Sequence, residues 1–195
     1  MPQQQFLHTG SSSHTSTISE LDLTLQSHSN SISSFTSQLD TCRKKLNPYD
    51  YSDAVCIRLH RLLDYAPLDP SARQKIKPLD NVVHLSLVAV MTTLMPEYGH
   101  NSARYFLLAN ELREALQVAE GNDEVMLWAM LVAYVTILSK SEHVWILPLV
   151  REVCARLCVR CWEDVRKVLC RYAWIGVLYD KTGLELWNAI EDGRS

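Results

Sequence analysis

Two stretches of this chain are apolar on every side of a helical projection. Residues 82–95, interrupted by His84, and residues 125–138 carry no acidic or basic side chain apart from that histidine. A helix with no polar face has to be enclosed. Each stretch is 14 residues long, short of the roughly 18 needed to cross a bilayer. They predict two helices buried inside a protein core.

The segments around them alternate with a period of three to four, as one-faced helices do. In 50–65, Val55, Leu59, Leu62 and Leu63 share a side, and Pro67 and Pro70 end the pattern. Asp80 or Asn81 is placed to cap the first apolar helix, which Pro96 and Gly99 break. Asn101 or Ser102 opens the next, with Leu108, Leu112, Ala115 and Ala119 on one face and Arg104, Glu111, Arg113 and Glu114 towards the other. Gly121-Asn122-Asp123 reads as a stop followed by a cap, and 139–142 as a turn. Ile146, Leu149, Val150, Val153 and Leu157 line a further helix, in whose first turn alone Pro148 is tolerable. Trp162, Val165, Leu169 and Tyr172 mark another, and 174–190 a last one that Gly176 and Gly183 would weaken.

The amino-terminal part is different. Residues 9–41 contain 17 Ser or Thr, the composition of a flexible tail. Yet Ile18, Leu21, Leu25, Ile32, Phe35 and Leu39 keep the three-four spacing, with His28 and Cys42 at the remaining seam positions. Thr17 and Glu20 form a candidate capping box, and Asn47-Pro48 a stop. The seam fits a helix docked on the domain or a dimerising coiled coil. The missing complementary charges beside it favour docking. The expected organisation is a disordered tail at 1–16, an amphipathic helix at 17–46 and a helical domain at 47–195. No window alternates with period two, and no 34-residue repeat is present. The expected fold is all-α, a single domain of about seven or eight helices behind a Ser/Thr-rich segment.

Composition narrows the function. The apolar fraction of 47% and charged fraction of 21% are those of an ordinary globular protein. The net charge of −3 comes from residues 1–42, which hold Glu20, Asp22 and Asp40 without Lys or Arg. The remainder is balanced, which disfavours autonomous binding to nucleic acid. The first residues lack a basic start and an apolar stretch, so reduced thiols in an intracellular compartment are the expectation.

Candidate chemistry is sparse. Cys154, Cys158 and Cys161 stand four and three apart, as zinc ligands on one helical face would, with Cys170 or His143 as a fourth. A helix break near 158–161 would scatter them, and buried apolar cysteines are the favoured reading. His84 reads as a hydrogen-bonded core residue, Glu142-His143 as a solvated turn, and Glu163-Asp164 as first-turn acids facing the helix dipole. Arg151, Arg156, Arg160, Arg166, Lys167 and Arg171 form a basic run, read as the solvated side of two helices. No glycine-rich phosphate loop or nucleophile elbow occurs. No catalytic, cofactor-binding or metal-binding residue is assigned, and no enzyme activity is expected.

One pattern is more specific. All five tryptophans lie between residues 128 and 187: Leu127-Trp128, then Trp145 before Leu149 and Val153-Cys154, then Trp162-Glu163-Asp164, Trp174, Asp180, Gly183 and Trp187. Upstream stand Asn47-Pro48-Tyr49-Asp50-Tyr51, Asp80-Asn81 and His84-Leu85. This set resembles the regulatory domain of fungal zinc-cluster transcription factors, the fungal-specific transcription factor domain. Three positions depart from it: Cys161 stands for Ser or Thr, Gly176 for a common Asp, and Cys158 for a common Gly. Members of that family carry a six-cysteine zinc cluster that reads DNA, whereas residues 1–41 contain no cysteine.

The resemblance implies a regulatory and protein-interaction domain acting in transcriptional control in the nucleus, or in the cytoplasm where no partner carries it in. Its implied partners are transcriptional regulators, a full-length relative or a second copy of itself, with no direct nucleic-acid contact and no membrane. A helical small-molecule-sensing domain with an effector between the apolar helices is the alternative.

Overall fold

The two apolar stretches become the centre of the molecule. A computed structural model describes residues 21–41, 47–69, 76–95, 105–138 and 142–192. Within them the chain forms eight helices: α1 (Leu23–Thr41), α2 (Pro48–Tyr65), α3 (Pro78–Thr93), α4 (Phe106–Val118), α5 (Asp123–Thr136), α6 (His143–Arg156), α7 (Trp162–Leu169) and α8 (Gly176–Asp192). No strand occurs among the described residues. The fold is a single all-α domain, as the periodicity predicts. Helices α3 and α5 pack on each other, and α4 covers both. On the far side of α3 lie α1 and α2; α6, α7 and α8 surround α5. Residues 125–133 of α5 are all buried, and so are Val82 to Met91 of α3, including Ser86 and His84.

Local signals explain most boundaries. Asn47-Pro48, expected as a stop, instead starts α2: Asn47 accepts the Tyr49 amide at 3.1 Å, and Pro48 occupies the first helical position. Gly121 adopts φ 141°, and Asn122 then caps α5 by accepting the Glu124 and Val125 amides at 2.9 and 3.1 Å. His84 Nε2 donates to the Leu62 carbonyl at 2.8 Å, tying α3 to α2 as a core histidine. Tyr51 completes that seam by donating to the Leu94 carbonyl at 2.8 Å.

Several expectations are corrected. Neither Asp80 nor Asn81 caps α3. Pro78 opens the helix three residues earlier, Lys77 is the cap residue, and Asp80 lies in the first turn, buried. Helix α1 starts at Leu23, capped by Asp22, whose Oδ1 accepts the Thr24 amide at 2.9 Å; Thr17, Glu20 and Cys42 lie outside the described residues. So do the proposed tail at 1–16, the Asn101 or Ser102 cap, and 139–141 of the expected turn. Pro148 sits in the second turn of α6, where it removes the bond to the Val144 carbonyl. Both residues face solvent, so water can serve that carbonyl.

Helix α1 docks on α2 and α3 through Leu21, Leu25, Ile32 and Phe35, with Thr36 buried beside them. Two carboxylates hold its ends. Asp80 accepts the backbone amide of Asp22, and Asp40 accepts the amide of Val177, at the start of α8, at 3.0 Å. Burial raises the Asp80 pKa above its ordinary 3.8, opposed by the Asp22 amide and by Lys77. Its protonated form therefore favours the folded state, and that contribution is lost as pH rises through the raised value.

Helix α6 ends in a closure that normally calls for glycine. Val159 N–H donates to Cys154 O at 3.0 Å and Cys158 N–H to Ala155 O at 3.2 Å, with Cys158 at φ 55°. A side chain is strained there, by roughly 1 kcal/mol. Cys158→Gly is expected to raise stability by about 1 kcal/mol in urea denaturation. A loss of stability would show that Cys158 makes a compensating contact.

Candidate functional site

The tryptophan pattern resolves into contacts between its own members. Trp128 on α5 is buried and donates Nε1 to the Ala173 carbonyl at 3.0 Å, while its ring stacks on Tyr172 at 5.4 Å. Trp174 donates Nε1 to Asp180 Oδ1 at 2.8 Å, and Arg166 donates Nε to the other oxygen at 2.8 Å. Trp162, at the start of α7, lies across Gly183 in the middle of α8. A Cβ at 183 would sit 2.5 Å from its Cη2. Trp187 lines the same narrow apolar seam. Trp145, partly buried on α6, takes the Arg113 guanidinium over its ring at 5.2 Å.

These contacts change the meaning of the glycines. Gly183 does not merely weaken α8; it makes room for an indole. Gly176 lies at the helix start, where a Cβ would meet Asp180, Arg166 and Asp40 atoms at 2.9–3.1 Å. The Asp that the resemblance leads one to expect at 176 is absent, and Asp40 from α1 brings a carboxylate to the same helix terminus. At the third departure, Cys161, the backbone is extended and no side-chain cap bond forms.

The candidate zinc ligands do not converge. Cys154 is buried in the core, Cys158 and Cys170 are exposed, and the α6 closure separates Cys158 from the start of α7. No group of three or more potential ligands gathers among the described residues. The His143 ring lies against Tyr134, with centroids 3.9 Å apart, so it is not a solvated turn residue. Glu163 and Asp164 occupy the first turn of α7 as expected.

Four of the six residues of the basic run meet carboxylates, three of them with partners outside the run. Arg156 meets Asp123 at 2.7 Å and Glu152 at 2.7 Å; Arg166 meets Asp180, Lys167 meets Asp164 at 3.0 Å, and Arg171 meets Glu124 at 2.6 Å. Exposed pairs of this kind add little stability. Their effect is to reduce a positive field that the linear sequence displays.

One cleft combines polar and aromatic walls. It is small, with a cavity volume of about 100 Å³, and lies between α1 and the turn after α7. Ser29, Asn30 and Ser33 of α1 form one wall, and Trp128, Arg171 and Tyr172 the other. Burial, reinforced by Glu124 and opposed by Arg171, pushes the Tyr172 pKa up to about 12, so at neutral pH the phenol is a hydrogen-bond donor. Among the described residues no carboxylate, histidine or thiol lines the cleft. The described lining offers hydroxyls, an amide and a guanidinium for hydrogen bonding. Sequence reading missed it because Ser29 and Arg171 lie far apart along the chain.

No protein-family model matches this chain, nor does any curated protein or solved structure. The resemblance stands on the residues themselves.

Gly183→Ala tests the interlock. In an exposed helix this change stabilises by about 1 kcal/mol. Against the Trp162 ring it is expected to cost about 1–3 kcal/mol instead, measured by thermal or urea unfolding. A stabilised variant would show that the indole moves freely.

Proposed function

We propose that this chain is a regulatory and protein-interaction domain of the fungal-specific transcription factor type, acting in transcriptional control in the nucleus. The observation that carries the reading is the closure of Trp162 on Gly183 in α8. Two residues of the resemblance pattern, 21 positions apart, have a physical reason to occur together. The shared bond of Trp174 and Arg166 to Asp180 gives a second such reason. The paired basic run agrees with a domain that acts through partners and leaves DNA contact to another module. The partners of this reading are transcriptional regulators, a relative carrying a zinc cluster, or a second copy of this chain.

The test is a tethering assay. Fused to an unrelated DNA-binding domain in a fungal host, the chain is expected to activate or repress a reporter severalfold. Gly183→Trp, which disrupts the interlock, should abolish the effect. A folded, nuclear fusion that leaves the reporter unchanged would count against the proposal.

A second reading, small-molecule sensing, is favoured by the cleft between α1 and Trp128. A ligand that binds only the native state raises its melting temperature. A metabolite panel should therefore contain compounds that stabilise the chain, and a broad panel with no shift would remove this reading.

A further inference from the structure

Helix α8 packs one side against the core and leaves the other uncovered. Gly183 is turned inward against the Trp162 ring, and Tyr179, Leu186, Trp187 and Ile190 are buried with it. On the opposite side Val177 is 76% exposed, Leu178 48% and Leu184 40%. Val177 and Leu184 stand seven residues apart, two helical turns, so they lie on one line along the helix. Lys181 and Glu185 are both exposed and follow that line on the same flank.

These two charges are uncommitted. Arg156, Arg166, Lys167 and Arg171 each meet a carboxylate, whereas Lys181 and Glu185 form no ion pair among the described residues. They stand four apart, yet the order lysine before glutamate is the weaker one for a pair within a helix. An opposite pair at that spacing on one helix face is its own complement when reversed end for end. Antiparallel, lysine meets glutamate twice; parallel, each charge meets its like. A foreign helix would have to carry the reversed pattern, whereas a second copy of this chain carries it already.

We propose that α8 is a self-association surface: two copies pair this helix antiparallel about a two-fold axis level with Gly183. Lys181 of each copy then faces Glu185 of the partner subunit, and the two Leu184 side chains meet beside the axis. The dimer rests on the protein-interaction reading above, with a second copy as the partner. Trp162 holds the helix from behind, so the face is presented without rearrangement. A single pair of helices lies at the low end of interface sizes, so the dimer exchanges, with a dissociation constant on the order of 10–100 µM.

The test is analytical sedimentation of the full chain between about 5 and 500 µM, a range that brackets such a constant. The parent is expected to pass from monomer to dimer across it. Lys181→Glu and Glu185→Lys, each alone, set like charges opposite each other twice and should weaken self-association about tenfold. An equimolar mixture of the two variants restores both pairs of opposite charge, and should recover the parent's affinity as a heterodimer. Leu184→Asp should leave the chain monomeric. All three positions are exposed, and thermal unfolding checks that each variant is folded. A parent that stays monomeric throughout, a dimer that neither charge reversal weakens, or variants that fail to recover on mixing overturns the proposal. The tethering assay reads the transcriptional role separately: an active reporter with a monomeric chain leaves that role standing, and a silent reporter with a dimer leaves the interface standing.

Discussion

Helix α5 has no polar face, and the rest of the fold follows from having to enclose it. Nine consecutive residues, 125–133, are buried. Each large side chain among them contributes about 1.5–3 kcal/mol through burial. Uncovering one side of α5 would therefore remove an amount comparable to the whole net stability of a domain, about 5–15 kcal/mol. Helix α3 meets the same requirement from the other side, and the pair together need neighbours all round. That is why α4 touches both, why α2 and α1 close over α3, and why α6, α7 and α8 wrap α5. Short helices such as α7, eight residues long, are marginal in isolation. They persist here because they cover something.

That constraint also explains what could be read from the sequence. The two core helices were legible because an all-round apolar pattern has one interpretation at that length. Gly121-Asn122 was legible because its geometry is local, whereas Asn47-Pro48, read as a stop, is the start of α2. What failed was whatever depends on a distant residue. Gly183 reads as a helix weakener until Trp162 is placed on it. Asp80 looks like a cap until α1 arrives to donate the Asp22 amide. The basic run 151–171 looks like a charged face until Asp123, Glu124 and Asp180 come round to meet it. Pro148 failed differently: the helix began earlier than its pattern implied, and solvent removes much of the penalty. The cleft was invisible for the same reason as the interlock, since its two walls come from distant parts of the chain.

Helix α1 is the element whose structure depends most on its surroundings. Nine of its 19 residues are Ser or Thr, which are weak helix formers. Its helicity is set by docking: the apolar seam against α2 and α3, the Arg58 guanidinium 4.4 Å from the Phe35 ring centroid, and the two carboxylate–amide contacts at its ends. The Asp40 contact has a counterpart in the departures from the family pattern. An Asp at 176 would carry its own charge to the start of α8. With Gly there, the charge comes from α1, and the amino-terminal helix becomes part of the carboxy-terminal one's capping.

The arginines show how the same chemistry serves structure in one place and leaves capacity in another. Arg156 commits its donors fully, with Nε and Nη2 on Asp123 and Nη1 on Glu152. Arg166 is held between α7 and α8 by Asp180, close to Asp40. Both are spent on joining helices. Arg171 gives one nitrogen to Glu124 and leaves the rest of its guanidinium at the edge of the cleft beside Ser29 and Ser33. Because α1 forms one wall and is ordered by docking, anything that fills the cleft also stabilises α1 against the domain. Occupancy and α1 docking are then linked: whatever binds the closed cleft favours the docked helix, and whatever displaces α1 weakens the site. On the proposed regulatory reading, α1 is the element through which occupancy of the cleft would be coupled to what the domain exposes.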